Sequence, residues 1–285
     1  MGSDISSQIE GIKHVWNQLL IIFLGATALV FVGMYDDRAP IGPLPKFAAQ
    51  FWVAGATACW GVRITLFWNI PVFTWIVTTL WIMLIINAIN FFDNMDGLTA
   101  GTSAIASFLF FFVASVNHQY FVATLSAITF GSTLGFWFHN RYPAKIYMGD
   151  AGSHFLGYML AVIGALTTFH SKETPTPFAV LIPLCILLLP IFDLLLVMGI
   201  RKKIGKPIYR GDHNHISHRF HKMGLSKTNS VRCVHLLSLA LGLGVLPMMW
   251  LGFKGILVIL LQFSAIFAFI IIISTVHIRD IIEDE

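Results

Sequence analysis

Residues Asn87 to Gly101 read Asn-Ala-Ile-Asn-Phe-Phe-Asp-Asn-Met-Asp-Gly-Leu-Thr-Ala-Gly. One apolar run, residues 70–86, leads into this stretch and another, residues 98–116, leads away from it. Two carboxylates, Asp93 and Asp96, and three amides, Asn87, Asn90 and Asn94, therefore stand where one membrane-crossing helix ends and the next begins. Ionisable groups at such a boundary are costly, and a functional role is their default reading. Capping of the helix after Gly97 accounts for Asp96. It leaves Asn87 and Asn90 unexplained, since both lie inside the preceding apolar run at the same three-residue spacing.

The whole chain has the character of this stretch. Of its 285 residues 56% are apolar and 11% charged, and the mean hydropathy is +0.78. Soluble domains carry about 25% charged residues, so a soluble domain is excluded. Apolar runs of about 20 residues, the length that crosses a bilayer core, recur from end to end. The expected fold is an all-α, polytopic transmembrane helix bundle forming one domain over residues 1–285. Nine spans are expected, at 14–34, 47–66, 69–91, 98–116, 119–138, 150–169, 177–200, 230–251 and 255–276. The second is the weakest, interrupted by Gly55, Gly61 and Arg63. No cleavable signal peptide is read at the N-terminus, because the first apolar run is too long and lacks a small-residue cleavage site. Cys59, Cys185 and Cys233 are widely separated and read as small hydrophobes rather than a disulfide or metal set.

Nine spans alternate the loops between two sides. One side holds all but four of the 18 Lys and Arg residues, the exceptions being Lys13, Arg63, Lys172 and Lys254. The positive-inside rule places that side in the cytoplasm and the N-terminus outside. Asp36, Asp37, Asp93, Asp96, Asp150 and Asp212 fall on the cytoplasmic side too, and Asp193 lies about two turns before a cytoplasmic loop. A transporter gathers ionisable groups near the midplane; this chain gathers them at one face. Chemistry at the cytoplasmic membrane surface is the expectation, with transport a distant alternative.

Three more constellations feed that face. Asp36-Asp37 closes the first span, and adjacent carboxylates suit a site that handles a cation or a proton. The run Asn140-Arg141-Tyr142-Pro143-Ala144-Lys145-Ile146-Tyr147-Met148-Gly149-Asp150-Ala151-Gly152-Ser153 sets a carboxylate between two glycines at a helix start. That position suits an N-cap, a Mg²⁺ ligand, or a phosphate held by the helix N-terminus. Finally, the loop 201–229 carries Lys202, Lys203, Lys206 and Arg210, then Asp212, His213, His215, Ser217, His218, Arg219 and His221. Its histidines lack zinc spacing, and its mixed donors fit phosphate or sugar. Asp193, in an apolar helix after Pro190, is read equally as a buried structural acid or a catalytic one.

With these residues assembled, the chain resembles the polyprenyl-phosphate N-acetylhexosamine-1-phosphate transferases, over roughly residues 20 to 230. Four motifs stand in family order: Asp36-Asp37 with Lys46 and Gln50 downstream; Asn87-x-x-Asn90-x-x-Asp93-x-x-Asp96-Gly97; Tyr147-Met148-Gly149-Asp150-x-Gly152-Ser153; and the histidine loop after Pro190-x-x-Asp193. The resemblance implies a bacterial inner-membrane enzyme that moves a sugar-1-phosphate from a UDP-sugar to polyprenyl phosphate, releases UMP and needs Mg²⁺, or Mn²⁺ in its place. UDP-N-acetylglucosamine is the expected donor. The implied partners are the UDP-sugar, the lipid phosphate and the membrane, with a homodimer by likeness alone and no nucleic acid.

Carried over by position, the resemblance makes Asp150 the main metal ligand with Asn90 beside it. Asp36 or Asp37 is the acid that activates the lipid phosphate or acts as nucleophile, and both readings stand at this point. Asn87, Asn90, Asp93, Asp96, Asn140 and Tyr147 fall on substrate positions, Tyr147 by ring stacking on uridine. His215, His218 and Arg219 fall on the loop contacting sugar and phosphates. Two departures are visible. The chain starts at what would be the family's third span, so the first two spans are expected to be lacking, and a non-catalytic homologue that binds nucleotide sugar or a partner is the alternative. The histidine motif also reads His-Ile-Ser-His, with Ser217 where many members carry histidine. Serine keeps a hydrogen bond there but carries no charge.

Overall fold

A computed structural model describes residues 5–64, 70–167, 181–205, 207 and 214–283, with side chains described within 15–272. Lys206, Arg210, Asp212 and His213 of the basic loop lie outside the described residues. Every regular element among the described residues is helical. In chain order these are α1 (Ile5–Arg38), α2 (Pro43–Cys59), α3 (Pro71–Phe92), α4 (Leu98–Val116), α5 (Tyr120–Asn140) and α6 (Gly149–Thr167). They continue as α7 (Leu181–Ile186), α8 (Leu188–Lys203), α9 (Ile216–Lys222), α10 (Lys227–Val245), a 3₁₀ turn (Leu246–Met249) and α11 (Phe253–Glu283).

Punctuation in the sequence sets the boundaries. Pro43 and Pro71 open α2 and α3 in their first turns, where a missing N–H costs nothing. Gly97 takes φ 76°, a left-handed conformation that lets the chain leave α3 and enter α4 within a few residues. Arg38 in the last turn of α1 sits at the negative end of that helix's dipole.

The centre of the bundle is α6, buried along nearly its whole length from Ser153 to Thr167. It packs against α1, α3 and α4, while α4 packs chiefly against α5. Gly33 of α1 lies against the backbone of Ala151, and Gly157 of α6 against that of Ile86. Small residues at these two crossings let the helix backbones touch, the usual way helices associate in lipid. The faces of α1 and α2 turned away from the bundle are apolar and exposed, as at Phe23, Phe31 and Trp52.

Six helices among the described residues are each long and apolar enough to cross a membrane: Val15–Arg38, Pro71–Phe92, Leu98–Val116, Tyr120–Asn140, Lys227–Met249 and Phe253–Ile272. The other three expected spans are built differently. That at 47–66 is the 17-residue α2, which stops at Cys59 before Gly61 turns the chain at φ 108°. That at 150–169 is α6, whose first turns carry Asp150, Ser153 and His154. That at 177–200 is, from Leu181 on, two helices broken at Leu187, just where Pro190 offers no N–H to the carbonyl of Ile186.

Candidate active site

The end of α1, the start of α2, the end of α3 and the start of α6 converge. Lys46, in the first turn of α2, places its Nζ 2.6 Å from Asp36 Oδ2 and 2.6 Å from Asp150 Oδ2. Asn90 donates through Nδ2 to Asp150 Oδ1 at 3.0 Å and to Ser153 Oγ at 2.9 Å. Four elements are thus tied through one carboxylate. Burial alone would lower the Lys46 pKa, but hydrogen bonds to Asp150 and Asp36 outweigh it and the ammonium is held above its ordinary value.

Asp36 and Asp37 face different partners. Asp36 also accepts from the Ile41 N–H at 3.0 Å, which folds the loop after α1 back over the helix end. Asp37 accepts from the N–H groups of Asp150 at 2.8 Å and Ala151 at 3.2 Å. The expectation that the α6 N-terminus is open to a phosphate is corrected here: the anion at that terminus is the Asp37 carboxylate. Gly149 makes this possible, since at φ 62° with Asp37 packed against it no side chain would fit.

Among the described residues, a larger and a smaller cavity are lined by these residues and their neighbours. The larger, of about 840 Å³, has a polar end formed by Asp36, Lys46, Asn87, Asn90 and His154. Its walls are apolar, including Phe47, Leu80, Leu84, Phe91, Leu194 and Met198. Asn87 is fixed at its rim by donating to Gln50 Oε1 at 2.6 Å and to the Met83 carbonyl at 2.7 Å. The smaller cavity, of about 330 Å³, is lined by Asn94, Met95, Asp96, Tyr142, His218, His221 and Lys227.

Asp93 caps the end of α3, in the turn between α3 and α4. Burial raises its pKa to about 6, and the charges of Asp150 and Asp96 push the same way. Asp96 accepts from the Ala144 N–H at 3.1 Å. Asn140, buried, accepts from the Gly97 N–H at 3.0 Å and donates to the Ile146 carbonyl at 2.9 Å, so it staples the two acid-bearing loops together.

The histidine loop is held from below. Asp193, 1% exposed, meets His215 Nδ1 at 2.6 Å and accepts from the Ile216 N–H at 2.8 Å. Of the two readings of Asp193, the buried acid that positions a loop is the one its contacts support. Ser217 donates to Asn94 Oδ1 at 2.6 Å, bringing α9 against the acid loop. Arg219, 8% exposed, donates through Nε to the Asn214 carbonyl at 2.8 Å. Asp36, Asp37, Asn90 and Asp150 therefore form one cluster, with Asn87 beside it. Asp96 and His218 share the second cavity, whereas Tyr147 is 77% exposed and lines neither.

Sequence reasoning placed Lys46 only as an accompaniment of the acid pair, named Ser153 only as the end of a motif, and passed over His154 and Lys227. Ser153 and His154 were detectable as the residues three and four after Asp150, on its face of the helix. Among the described residues, no three His, Cys, Asp or Glu side chains stand close enough to enclose a metal ion. Asp150 and Ser153 present hard oxygen atoms, Asn90 turns its amide nitrogen to both and would offer its oxygen only with the amide reversed, and the Asp36–Lys46–Asp150 bridge marks where positive charge is called for. Such a set could hold Mg²⁺, which takes one or two carboxylates and completes its shell with water and substrate phosphates.

The family model described as glycosyl transferase family 4 matches residues 19–168. A probable undecaprenyl-phosphate N-acetylglucosaminyl 1-phosphate transferase of Bacillus subtilis (strain 168) is 35% identical over 265 residues, covering 88% of this chain and 72% of that protein. A decaprenyl-phosphate N-acetylglucosaminephosphotransferase of Mycobacterium leprae is 29% identical over 263 residues, 83% of this chain and 66% of that protein. A phospho-N-acetylmuramoyl-pentapeptide-transferase of Lactiplantibacillus plantarum is 31% identical over 159 residues, 56% of this chain and 44% of that protein. This chain therefore spans 72% of the length of the Bacillus relative and just under two thirds of the mycobacterial one. By the extent of the family match and by its likeness to the Bacillus protein, the chain belongs to glycosyl transferase family 4.

Proposed function

We propose that this protein transfers N-acetylglucosamine-1-phosphate from UDP-N-acetylglucosamine to a polyprenyl phosphate, with release of UMP, at the cytoplasmic face of a bacterial inner membrane. The observation that carries the reading is the larger cavity. One end is a charged cluster and the walls are apolar, which is the shape of a site for a phosphate on a hydrocarbon tail. The names of the relatives, which specify undecaprenyl- or decaprenyl-phosphate and N-acetylglucosamine, support the same substrate classes.

In this reaction an oxygen of the lipid phosphate attacks the phosphorus bonded to the sugar. A P–O bond forms, the bond to the uridine-bearing phosphate breaks, and UMP departs with the bridging oxygen. The lipid phosphate lies against Lys46, with Asn87 and Asn90 beside it, and its tail follows the wall from Phe47 to Met198. Lys46 is held charged by Asp36 and Asp150, so it offsets phosphate repulsion without a proton being lost. Asp37 caps α6 and fixes the direction of Asp150, and Asp36 fixes Lys46. With both carboxylates engaged, direct transfer between the two substrates is favoured over a covalent aspartyl intermediate. Asp150, with Asn90, would hold Mg²⁺, which when bound screens the phosphate charges and steadies the leaving UMP. Asp96 and His218 line the neighbouring pocket on the donor side.

The test uses the purified full-length chain in detergent with Mg²⁺, undecaprenyl phosphate and UDP-N-acetylglucosamine labelled in the sugar. Labelled lipid and an equal amount of UMP are the expected products, and both disappear with EDTA. No labelled lipid from any UDP-N-acetylhexosamine would defeat the proposal.

A further inference from the structure

We infer that Gln50 donates a hydrogen bond to the phosphate of the lipid acceptor, and that Asn87 holds the Gln50 amide in the orientation this requires. This rests on the transferase reading and adds a binding residue to the larger cavity. Gln50 lies on α2 one turn after Lys46, so the two side chains share a face of that helix. Both line the larger cavity, and Gln50 is only 2% exposed.

The hydrogen bonds fix which end of the Gln50 amide is free. A backbone carbonyl only accepts, so the Asn87 atom 2.7 Å from the Met83 oxygen is the amide nitrogen. That same nitrogen stands 2.6 Å from Gln50, so the Gln50 atom facing it is the oxygen, Oε1. Both hydrogens of Asn87 Nδ2 are thereby used. The free end of Gln50 is its NH₂ group. Among the described residues that group has no hydrogen-bond partner, and it is not closed off from the cavity that Gln50 lines.

A nearly buried donor without a partner is costly unless a ligand completes it. The ligand that suits this one offers oxygen acceptors, carries negative charge beside Lys46, and has an apolar remainder to lie along Phe47, Leu80 and Leu84. A phosphate on a hydrocarbon tail has all three properties. Lys46 supplies it with a point charge, and Gln50 with a directed N–H, a bond that gains strength from an ionised acceptor. With the amide reversed, the Gln50 oxygen would face the phosphate and repel it. Asn87 prevents that reversal, which makes it a positioning residue.

The deciding experiment uses the full-length protein in detergent with Mg²⁺ and two readouts. These are direct binding of undecaprenyl phosphate and of the uncharged alcohol undecaprenol, and KM for both substrates. Gln50→Met keeps the length of the side chain and removes the donor. It should weaken undecaprenyl phosphate binding and raise its KM by about tenfold, with undecaprenol binding and KM for UDP-N-acetylglucosamine held within about twofold. Gln50→Glu, which puts an acceptor in the donor's place, should lose more. Asn87→Leu should weaken lipid phosphate binding severalfold on its own, and by less than about twofold when Gln50→Met is already present, because it acts through Gln50. Unchanged lipid phosphate binding in Gln50→Met would overturn the assignment, as would an equal loss for undecaprenol, the mark of a purely structural role. An undiminished Asn87→Leu loss in the Gln50→Met background would overturn the positioning role of Asn87. The expected binding differences in a protein that shows no turnover would defeat the proposed function and leave Gln50 assigned.

Discussion

The acid pairs Asp36–Asp37 and Asp93–Asp96 occupy the same kind of place, the end of an apolar helix, but Asp93 is accommodated differently from the other three, Asp96 being held by the Ala144 N–H. At the end of α1 each carboxylate has fixed partners: Lys46 and the Ile41 N–H for Asp36, two N–H groups of α6 for Asp37. At the end of α3, burial and the neighbouring charges of Asp150 and Asp96 bring the Asp93 pKa to about 6. A carboxylate given cations and N–H donors becomes scaffold. At Asp93 burial and the neighbouring acids outweigh the Thr99 hydroxyl, and the carboxylate meets the cost by taking a proton near neutral pH. The first pair builds the site, and in the second Asp93 leaves it charge-sensitive.

The largest effect expected from breaking this arrangement is at the hub that the first pair supports. Asp150→Asn keeps the shape and still offers Lys46 an oxygen, but removes the charge; lipid product formation should fall on the order of a thousandfold or more, with the melting temperature little changed. Near-normal turnover would refute the metal role of Asp150. Next comes Lys46→Met, which leaves the Asp36 and Asp150 carboxylates facing one another across the space their shared ammonium filled. Turnover should drop about a hundredfold and the melting temperature should fall, with Lys46→Arg recovering part of both. A Lys46→Met protein as stable and active as the original would show that the first pair needs no cation.

The second pair makes a pH prediction of smaller size. Asp93 has a folded pKa of about 6, above the ordinary 3.8. Its contribution to stability is therefore fully present below about 3.8 and lost as pH rises through about 6. Asp93→Asn should flatten that window, leaving the variant more stable than the original by about 1–2 kcal/mol at pH 7.5. Thermal melts in detergent at pH 5 and pH 7.5 check the sign. A variant less stable than the original at pH 7.5 would mean that Asp93 is charged and partnered, like the first pair.

The contrast between the pairs was only half legible in the sequence. The helical membrane class followed from composition, and the polar boundary from Asn87 to Asp96 followed from the apolar runs around it. Periodicity also put Asn90 and Asp93 on one side of a helix end. It could not connect Asp36 to Asp150, which stand 114 positions apart in the chain, or show that Lys46 joins them. Only the packing of α1 on α6, through Gly33 against Ala151, sets that distance. Hydropathy also gave no sign of where a helix stops within an apolar run: α2 ends at Cys59 before Gly61, and the 177–200 run breaks at Leu187 near Pro190, since apolarity reports burial and not continuity of a helix. The role of Asp37 was hidden for a related reason. A carboxylate that caps a distant helix has the same sequence signature as one that handles a metal.

Ser217 is where the smallest effect is expected. Its hydroxyl donates to Asn94 Oδ1 at 2.6 Å, within the stretch that separates Asp93 from Asp96, so it joins the histidine loop to the second acid pair. Asp193 already anchors that loop through His215 and the Ile216 N–H. Ser217→Ala therefore removes one of several ties and should cost about 1 kcal/mol of stability, with a severalfold rise in KM for the nucleotide sugar. Ser217→Thr keeps the hydroxyl and should stay closer to the original than alanine does. A loss from Ser217→Ala as large as that from Lys46→Met would reverse the comparison, because the second pair would then depend on a fixed partner as strictly as the first.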